Sequence, residues 1–232
     1  MKKLIVMLAL CVAVISVQAQ VDSFRVPIAA KKTLKIVPRD RIVLDFLGTN
    51  WIHNIPGMKI RWYSRGFNAY FMYDLRIKKS RVSFAAGLGV GCVNIYSNSA
   101  LTDSSGSGAK FTPISNYDNY KVNKVALTYI DLPLELRIRT NRDKLDQCWK
   151  FNIGFKAGIR VDAHTKQTTK TPNQTIKLKP YPDFNLFRLG PTLRIGYSSF
   201  NLTAYYGVLG VFKGGRGPDV HEFAVGISFN GL

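Results

Sequence analysis

Lys124 to Thr140 reads KVALTYIDLPLELRIRT. Leu and Ile dominate this run, yet Asp131, Glu135, Arg137 and Arg139 recur inside it. The residues separate by parity. Ile130, Leu132, Leu134, Leu136 and Ile138 occupy the even positions, and every charge from Asp131 to Arg139 is odd. A period of two belongs to a β-strand, whose successive side chains point to opposite faces. One face is therefore oily and the other charged, and what lies against the oily face decides the fold.

The same alternation governs Trp149 to Asp162. Trp149, Phe151, Ile153, Phe155, Ala157, Ile159 and Val161 alternate there with Lys150, Asn152, Gly154, Lys156, Gly158, Arg160 and Asp162 over 14 residues. Strands of soluble proteins average about 5–6 residues, whereas tilted membrane strands need about 9–11. Six further segments alternate likewise, at 41–48, 67–77, 81–93, 186–197, 200–208 and 220–230, which makes eight predicted strands. Lys78-Lys79-Ser80 and Ser198-Ser199 are tight turns, and the link at 141–147 is modest. Longer polar loops lie at 49–65, 98–123, 163–185 and 209–219. Short turns at one end and long loops at the other predict an eight-stranded antiparallel up-and-down transmembrane β-barrel, with the turns periplasmic and the loops outside.

The start of the chain agrees with that compartment. Met1-Lys2-Lys3, the apolar Leu4–Val14 and Val17-Gln18-Ala19 together have the form of a secretory signal peptide, here residues 1–19. Cys11 falls inside its apolar core. Residues 20–40 are then a basic periplasmic lead-in and 41–232 the barrel. No other segment reaches about 18 consecutive apolar residues, so no transmembrane helix is expected. The formal charge is +19, and loss of Lys2 and Lys3 leaves +17. Such an excess points to an acidic partner. For an exported chain this means outer-membrane lipid and lipopolysaccharide phosphates or acidic envelope components, with no nucleic acid.

In a membrane barrel the oily face meets lipid and the charges point inward. An eight-stranded barrel has an interior just wide enough for side chains to fill it. The expected inward acids are Asp45, Asp74, Asp131, Glu135, Asp162 and Glu222; the expected bases are Arg76, Arg137, Arg139, Lys150, Lys156, Arg160, Arg188 and Arg194. Unpaired buried charges cost several kcal/mol, so these groups are expected to pair into an ionic plug. Gly87, Gly89 and Gly91 on the inner face leave room for long Arg and Lys side chains. A lipocalin-like soluble barrel is the rival. It would bury its oily face, use shorter strands and need no glycine row.

Few signals suggest chemistry. Gly87-Leu88-Gly89-Val90-Gly91 has the look of a phosphate loop but lies within one strand, without the strand–turn–helix context. His53, His164 and His221 have no metal-ligand spacing, so no metal or cofactor is expected. Asp162 and His164 lie two apart near an outer strand end, with Thr165 as the adjacent hydroxyl. Cys92 and Cys148 fall near opposite ends of the barrel and are expected as free thiols. Trp51, Trp62, Tyr63 and Trp149 are candidates for an aromatic girdle. The outer loops are basic, with Lys59, Arg61 and Arg65 in the first, Lys166, Lys170, Lys177 and Lys179 in the third, and Lys213 and Arg216 in the fourth. The second loop, SNSALTDSSGSG at 97–108, has the composition of a mobile segment.

YIDLPLELRIRT at 129–140, followed by FNIGFKAGIRVDAHTK at 151–166, resembles the PorT-type outer-membrane β-barrel proteins of the Bacteroidota, as does GFNAYFMYDL with VSFAAGLGVG at 66–91. The likeness spans residues 41–230. It implies a small outer-membrane barrel without a catalytic motif, in a family with members implicated in type IX secretion. The function expected is a non-enzymatic scaffold or binding protein acting through basic outer loops, as an accessory to secretion, with secretion-system or other envelope proteins as partners. The alternatives are a lipid-modifying enzyme with a rim site near Asp162 and His164, and a narrow channel.

Overall fold

The computed structural model describes residues 41–231, apart from 53–54, 78–79, 105–107, 142–146 and 179–182. The signal peptide, the 20–40 lead-in, His53, Lys179 and the Lys78-Lys79 turn lie outside the described residues. The strands are β1 (Ile42–Ile52), β2 (Arg65–Arg76), β3 (Val82–Tyr96), β4 (Ser99–Ser104), β5 (Gly108–Pro113), β6 (Tyr120–Arg139), β7 (Trp149–Thr169), β8 (Thr175–Leu178), β9 (Phe187–Tyr197), β10 (Phe200–Gly210) and β11 (His221–Asn230). No helix among the described residues is long and apolar enough to cross a membrane.

Eight strands close a barrel in the order β1-β2-β3-β6-β7-β9-β10-β11, with β11 returning to β1. All of these pairings are antiparallel. Closure matters because hydrocarbon offers no partner to an unpaired backbone group. Pro133, which has no N–H to donate, sits where the β3–β6 ladder skips between Ala86↔Leu134 and Gly89↔Asp131. The eight predicted strands are therefore the eight barrel staves.

The outer wall is apolar, and the alternation of the sequence predicts which residues form it. Ile130, Leu132, Leu134, Leu136 and Ile138 of β6 are all exposed, as are Trp149, Phe151, Ile153, Phe155, Ile159 and Val161 of β7. Trp149 to Val161 rises about 30 Å along the axis at a tilt of about 40°, which spans the apolar band of about 25 Å typical of such barrels.

Above this band the strands continue further than the alternation foretells. β6 and β7 are 20 and 21 residues long. A bulge makes the difference. Thr128 pairs with Asp162 and Tyr129 with Arg160, so Val161 is the extra residue. An added residue reverses the faces beyond it. Ala163 and Thr165 are buried, while Asp162 and His164 turn to the outer wall.

A second core fills the mouth of the barrel. Trp51, Val93, Ile95, Val125, Leu127 and Ala163 reach it from the strand tops. All four outer loops add to it, through Ile55 and Met58, Leu101 and Ala109, Phe184, and Val211 and Phe212. Trp51 packs edge-on to Phe111 and Phe212, each at 5.9 Å between ring centroids, and Phe184 stacks on Phe212 at 4.7 Å. Two expectations fall here. Trp51 belongs to this core and not to a girdle, since its indole is 4 % exposed. The second loop is a folded hairpin, β4 on β5, whose base is held by Asn123 Nδ2 donating to the carbonyls of Ser97 and Ser99, both at 2.8 Å. Its apolar Leu101 and Phe111 outweigh the Ser and Gly that suggest mobility.

Phe212 touches three of the core's other rings, so Phe212→Ala is expected to remove about 3–5 kcal/mol of packing from the mouth. Limited proteolysis should then cut within 98–119 much faster than in the unaltered protein, while the barrel keeps its folded electrophoretic mobility. Equal cleavage rates would show that the loops do not depend on this core.

Candidate functional site

The buried side of the barrel is charged below the mouth core. Asp45, Asp74, Asp131, Glu135 and Glu222 are buried there with Arg137, Arg139, Lys150, Lys156, Arg188 and Arg194. The ion pairs among them fall into two groups. Near the turns, Asp74 meets Arg139 and, at 3.5 Å, Arg137. Arg137 Nε donates to Glu135 at 2.9 Å, and Arg194 joins Glu135 to Asp45, the latter bond 2.7 Å long. Arg139 also donates to Ser83 Oγ at 2.6 Å, and Asn68 Nδ2 to Asp45 at 3.1 Å. This chain crosses the lumen from β6 to β9 and β1.

The upper group centres on Arg188. Its Nε and Nη2 donate to the two oxygens of Asp131 at 2.9 and 2.5 Å, and its Nη1 lies 3.4 Å from both oxygens of Glu222. Tyr70 donates its hydroxyl to Asp131 at 3.0 Å. The guanidinium lies over the Tyr129 ring at 4.1 Å, and Lys156 Nζ sits 3.6 Å from the centre of the Tyr205 ring. Both contacts have the geometry of cation–π attraction, strongest where water is excluded.

Glycines admit this arrangement at two points. A Cβ on Gly91 would run into the Arg188 guanidinium, the Asp131 carboxylate and Asn68. One on Gly158 would strike Asp131 and Arg188 from the other side. Gly87 and Gly89 serve a different purpose from the one expected, since they make room for Met72 and Tyr70 of the neighbouring strand and not for a distant Arg or Lys. One small cavity in the lumen, bordered by Asp45, Tyr70, Glu135, Lys156, Arg194 and Tyr205, is about the size of a single water molecule.

Three expected members stand apart from these pairs. Asp162 faces outward because of the bulge, and its Oδ2 is 2.7 Å from Nδ1 of His164. Arg160 is half-buried and donates to the carbonyls of Asn185 and Phe184 at 3.1 and 3.2 Å, fastening β7 to the third loop. Arg76 is half-buried at the turn end of β2. The buried Thr165 is on the opposite face from Asp162 and His164. The hydroxyl beside Asp162 in register is Thr128, whose Oγ1 is 3.8 Å from Cys92 Sγ. Neither Cys92 nor Cys148 forms a disulfide among the described residues. Among the described residues, no cluster of His, Cys, Asp and Glu has the form of a metal site.

The outer basic residues divide between two places. Lys59, Lys170 and Lys213 are exposed in the loops, and Arg216 pairs with Asp183 at 3.3 Å. Arg61 lies over the Tyr117 ring at 4.5 Å. Arg65, Lys166 and Lys177 instead stand on or beside the outer wall, at the top of the staves. Lys124 joins them there, a residue passed over because it opens an apolar run; its parity with Ile130 marks it as outward. Trp62 and Tyr63 are exposed beside this group, and Trp149 is exposed at the turn end against Tyr197.

Removing one partner of a buried ion pair typically costs about 3–5 kcal/mol, because the other charge is left stranded. Arg188→Met is therefore expected to destabilise the barrel by about that much in urea unfolding from lipid vesicles. Adding Asp131→Asn and Glu222→Gln should recover most of the loss. A single variant as stable as the unaltered protein would mean that Arg188 neutralises nothing.

No curated protein is significantly similar to the chain. Among solved structures, a match is found to Ail, the attachment invasion locus protein of Yersinia pestis, crystallised in complex with the heparin analogue sucrose octasulfate. It is 12 % identical, covers 82 % of this chain and 95 % of that one, and has a TM-score of 0.35. The outer membrane protein beta-barrel domain matches over residues 50–213. With more than half of its length matched, and a closed eight-stranded barrel bearing an apolar wall, the chain belongs to the outer membrane protein beta-barrel domain family.

Proposed function

We propose that this barrel is a non-enzymatic scaffold or binding protein whose outer loops engage acidic partners. The observation that carries the reading is a pairing of two features. Among the described residues the lumen is filled by buried, paired charges, and the mouth core folds all four loops into a basic surface. Lys59, Arg61, Arg65, Lys110, Lys121, Lys124, Lys166, Lys170, Lys177, Lys213 and Arg216 decorate the outer end, against Asp118, Asp162, Asp183 and Asp219 among the described side chains. A surface so biased attracts anions over several ångströms and holds them less firmly as salt rises.

Two kinds of partner suit it, lipopolysaccharide phosphates around the barrel and acidic envelope proteins above it. The resemblance to PorT-type proteins of the Bacteroidota supports a place beside the type IX secretion system for the second. The leader-like first 19 residues support export to the outer membrane.

A tagged full-length barrel, purified from its own envelope at low salt, should retain acidic proteins and release them as salt is raised. Reversing Lys59, Lys170 and Lys213 to Glu should abolish that capture without altering folded mobility. Undiminished capture by the reversed variant would overturn the reading.

A further inference from the structure

Cross-strand register sets three lysines side by side on the outer wall. Lys124 of β6 pairs with Lys166 of β7, and Lys166 pairs with Lys177 of β8. Residues directly opposite in antiparallel strands share a face, with Cβ atoms about 4.5–5.5 Å apart, and like charges so placed repel. On the other side of Lys124 the row continues into Tyr96 of β3. Lys124 Nζ donates to Asn94 Oδ1 at 2.7 Å and stands 5.7 Å from the Tyr96 ring centre. Arg65 of β2 approaches the same tyrosine, its Nη2 3.4 Å from the hydroxyl. Neighbouring strands thus hold two cations in position beside a third and a fourth. The nearest outward carboxylate below the row is Asp162, which is engaged by His164 at 2.7 Å.

The row stands directly over the lipid-facing wall. Beneath Lys124 and Lys166 come Ala126 and His164, then Thr128 and Asp162, and then the open apolar side chains of Ile130 and Ile159. Four residues separate Lys124 from Thr128, about 10 Å along the barrel axis. Lysine stems lie along apolar surface and bring their ammonium groups back toward the interface. An anion bound here would have the hydrocarbon wall immediately below it, the position of a headgroup whose acyl chains lie against Ile130 and Ile159.

Resting on the basic outer end described above, we infer that Lys124, Lys166 and Lys177, with Arg65, form a binding site for the phosphate groups of an outer-leaflet lipid. The mutual repulsion of the row destabilises the free barrel, and a bound phosphate reverses the sign of that contribution. Neutralising the central lysine therefore has opposite effects with and without the lipid.

The test folds the full-length protein and its Lys166→Gln variant into phosphatidylcholine vesicles, and into the same vesicles doped with diphosphoryl lipid A. Urea unfolding midpoints are read in each. In phosphatidylcholine alone the variant should unfold at higher urea than the unaltered protein; with lipid A the order should invert. Arg81→Gln, exposed at the turn end of the barrel away from the row, should follow the unaltered protein in both. The same order in both lipids would overturn the site. So would inorganic phosphate in plain vesicles stabilising the protein as much as lipid A does, since the site would then take a soluble anion. Failure here with partner capture intact removes the lipid site alone, whereas loss of capture with the inversion intact removes the loop partner alone.

Discussion

The guanidinium of Arg188 lies between the carboxylates of Asp131 and Glu222, with bonds of 2.9 and 2.5 Å to the first. It is held inside a sheet whose other face meets hydrocarbon. None of the three side chains can turn outward without entering lipid, and none can lose its partner without leaving a buried charge. The second group, from Asp74 through Arg137, Glu135 and Arg194 to Asp45, obeys the same constraint across the opposite part of the lumen. Gly91 and Gly158 are small because the Arg188 pair stands against them. Tyr70, Tyr129 and Tyr205 supply a hydroxyl donor and ring faces where a carboxylate does not reach.

Above the charges the interior changes character. Along β6 the inward residues run Arg139, Arg137, Glu135, Pro133, Asp131, Tyr129, Leu127 and Val125, from ionic to apolar. That change is what allows the loops to fold inward. Trp51, Phe184 and Phe212 could not pack over an ionic surface at low cost, but they close readily over Leu127 and Val125. The barrel is thus stoppered twice, by ion pairs within the membrane and by an aromatic core at the mouth. Shape at the outer end comes from the second stopper, and with it the basic surface on which the proposed function rests.

Parity made the staves and most of the inward charges legible, because lipid and lumen impose a strict period of two on every crossing strand. It failed where an added residue breaks the count. Val161 at the bulge sends Asp162 outward and leaves Arg160 at the level of the third loop, and no composition signal marks it. The mouth core does leave a signal in the sequence. Val125 and Leu127 are inward and apolar, as are Val93 and Ile95, so the staves had to be capped by something oily. Leu101, Phe111, Phe184 and Phe212, spaced through loops that look polar on average, are the matching half. The lysine row was hidden for another reason. Lys124, Lys166 and Lys177 are far apart in sequence, and only register brings them together.

On the proposed function, a barrel filled in this way binds at its rim and passes nothing through its axis. The most direct test is electrical: purified full-length protein inserted into a planar lipid bilayer under applied voltage. Paired charges and a closed mouth predict current at the level of the bare membrane. Steady, reproducible conductance steps would contradict the packed lumen, and with it the assignment of function to the outer surface.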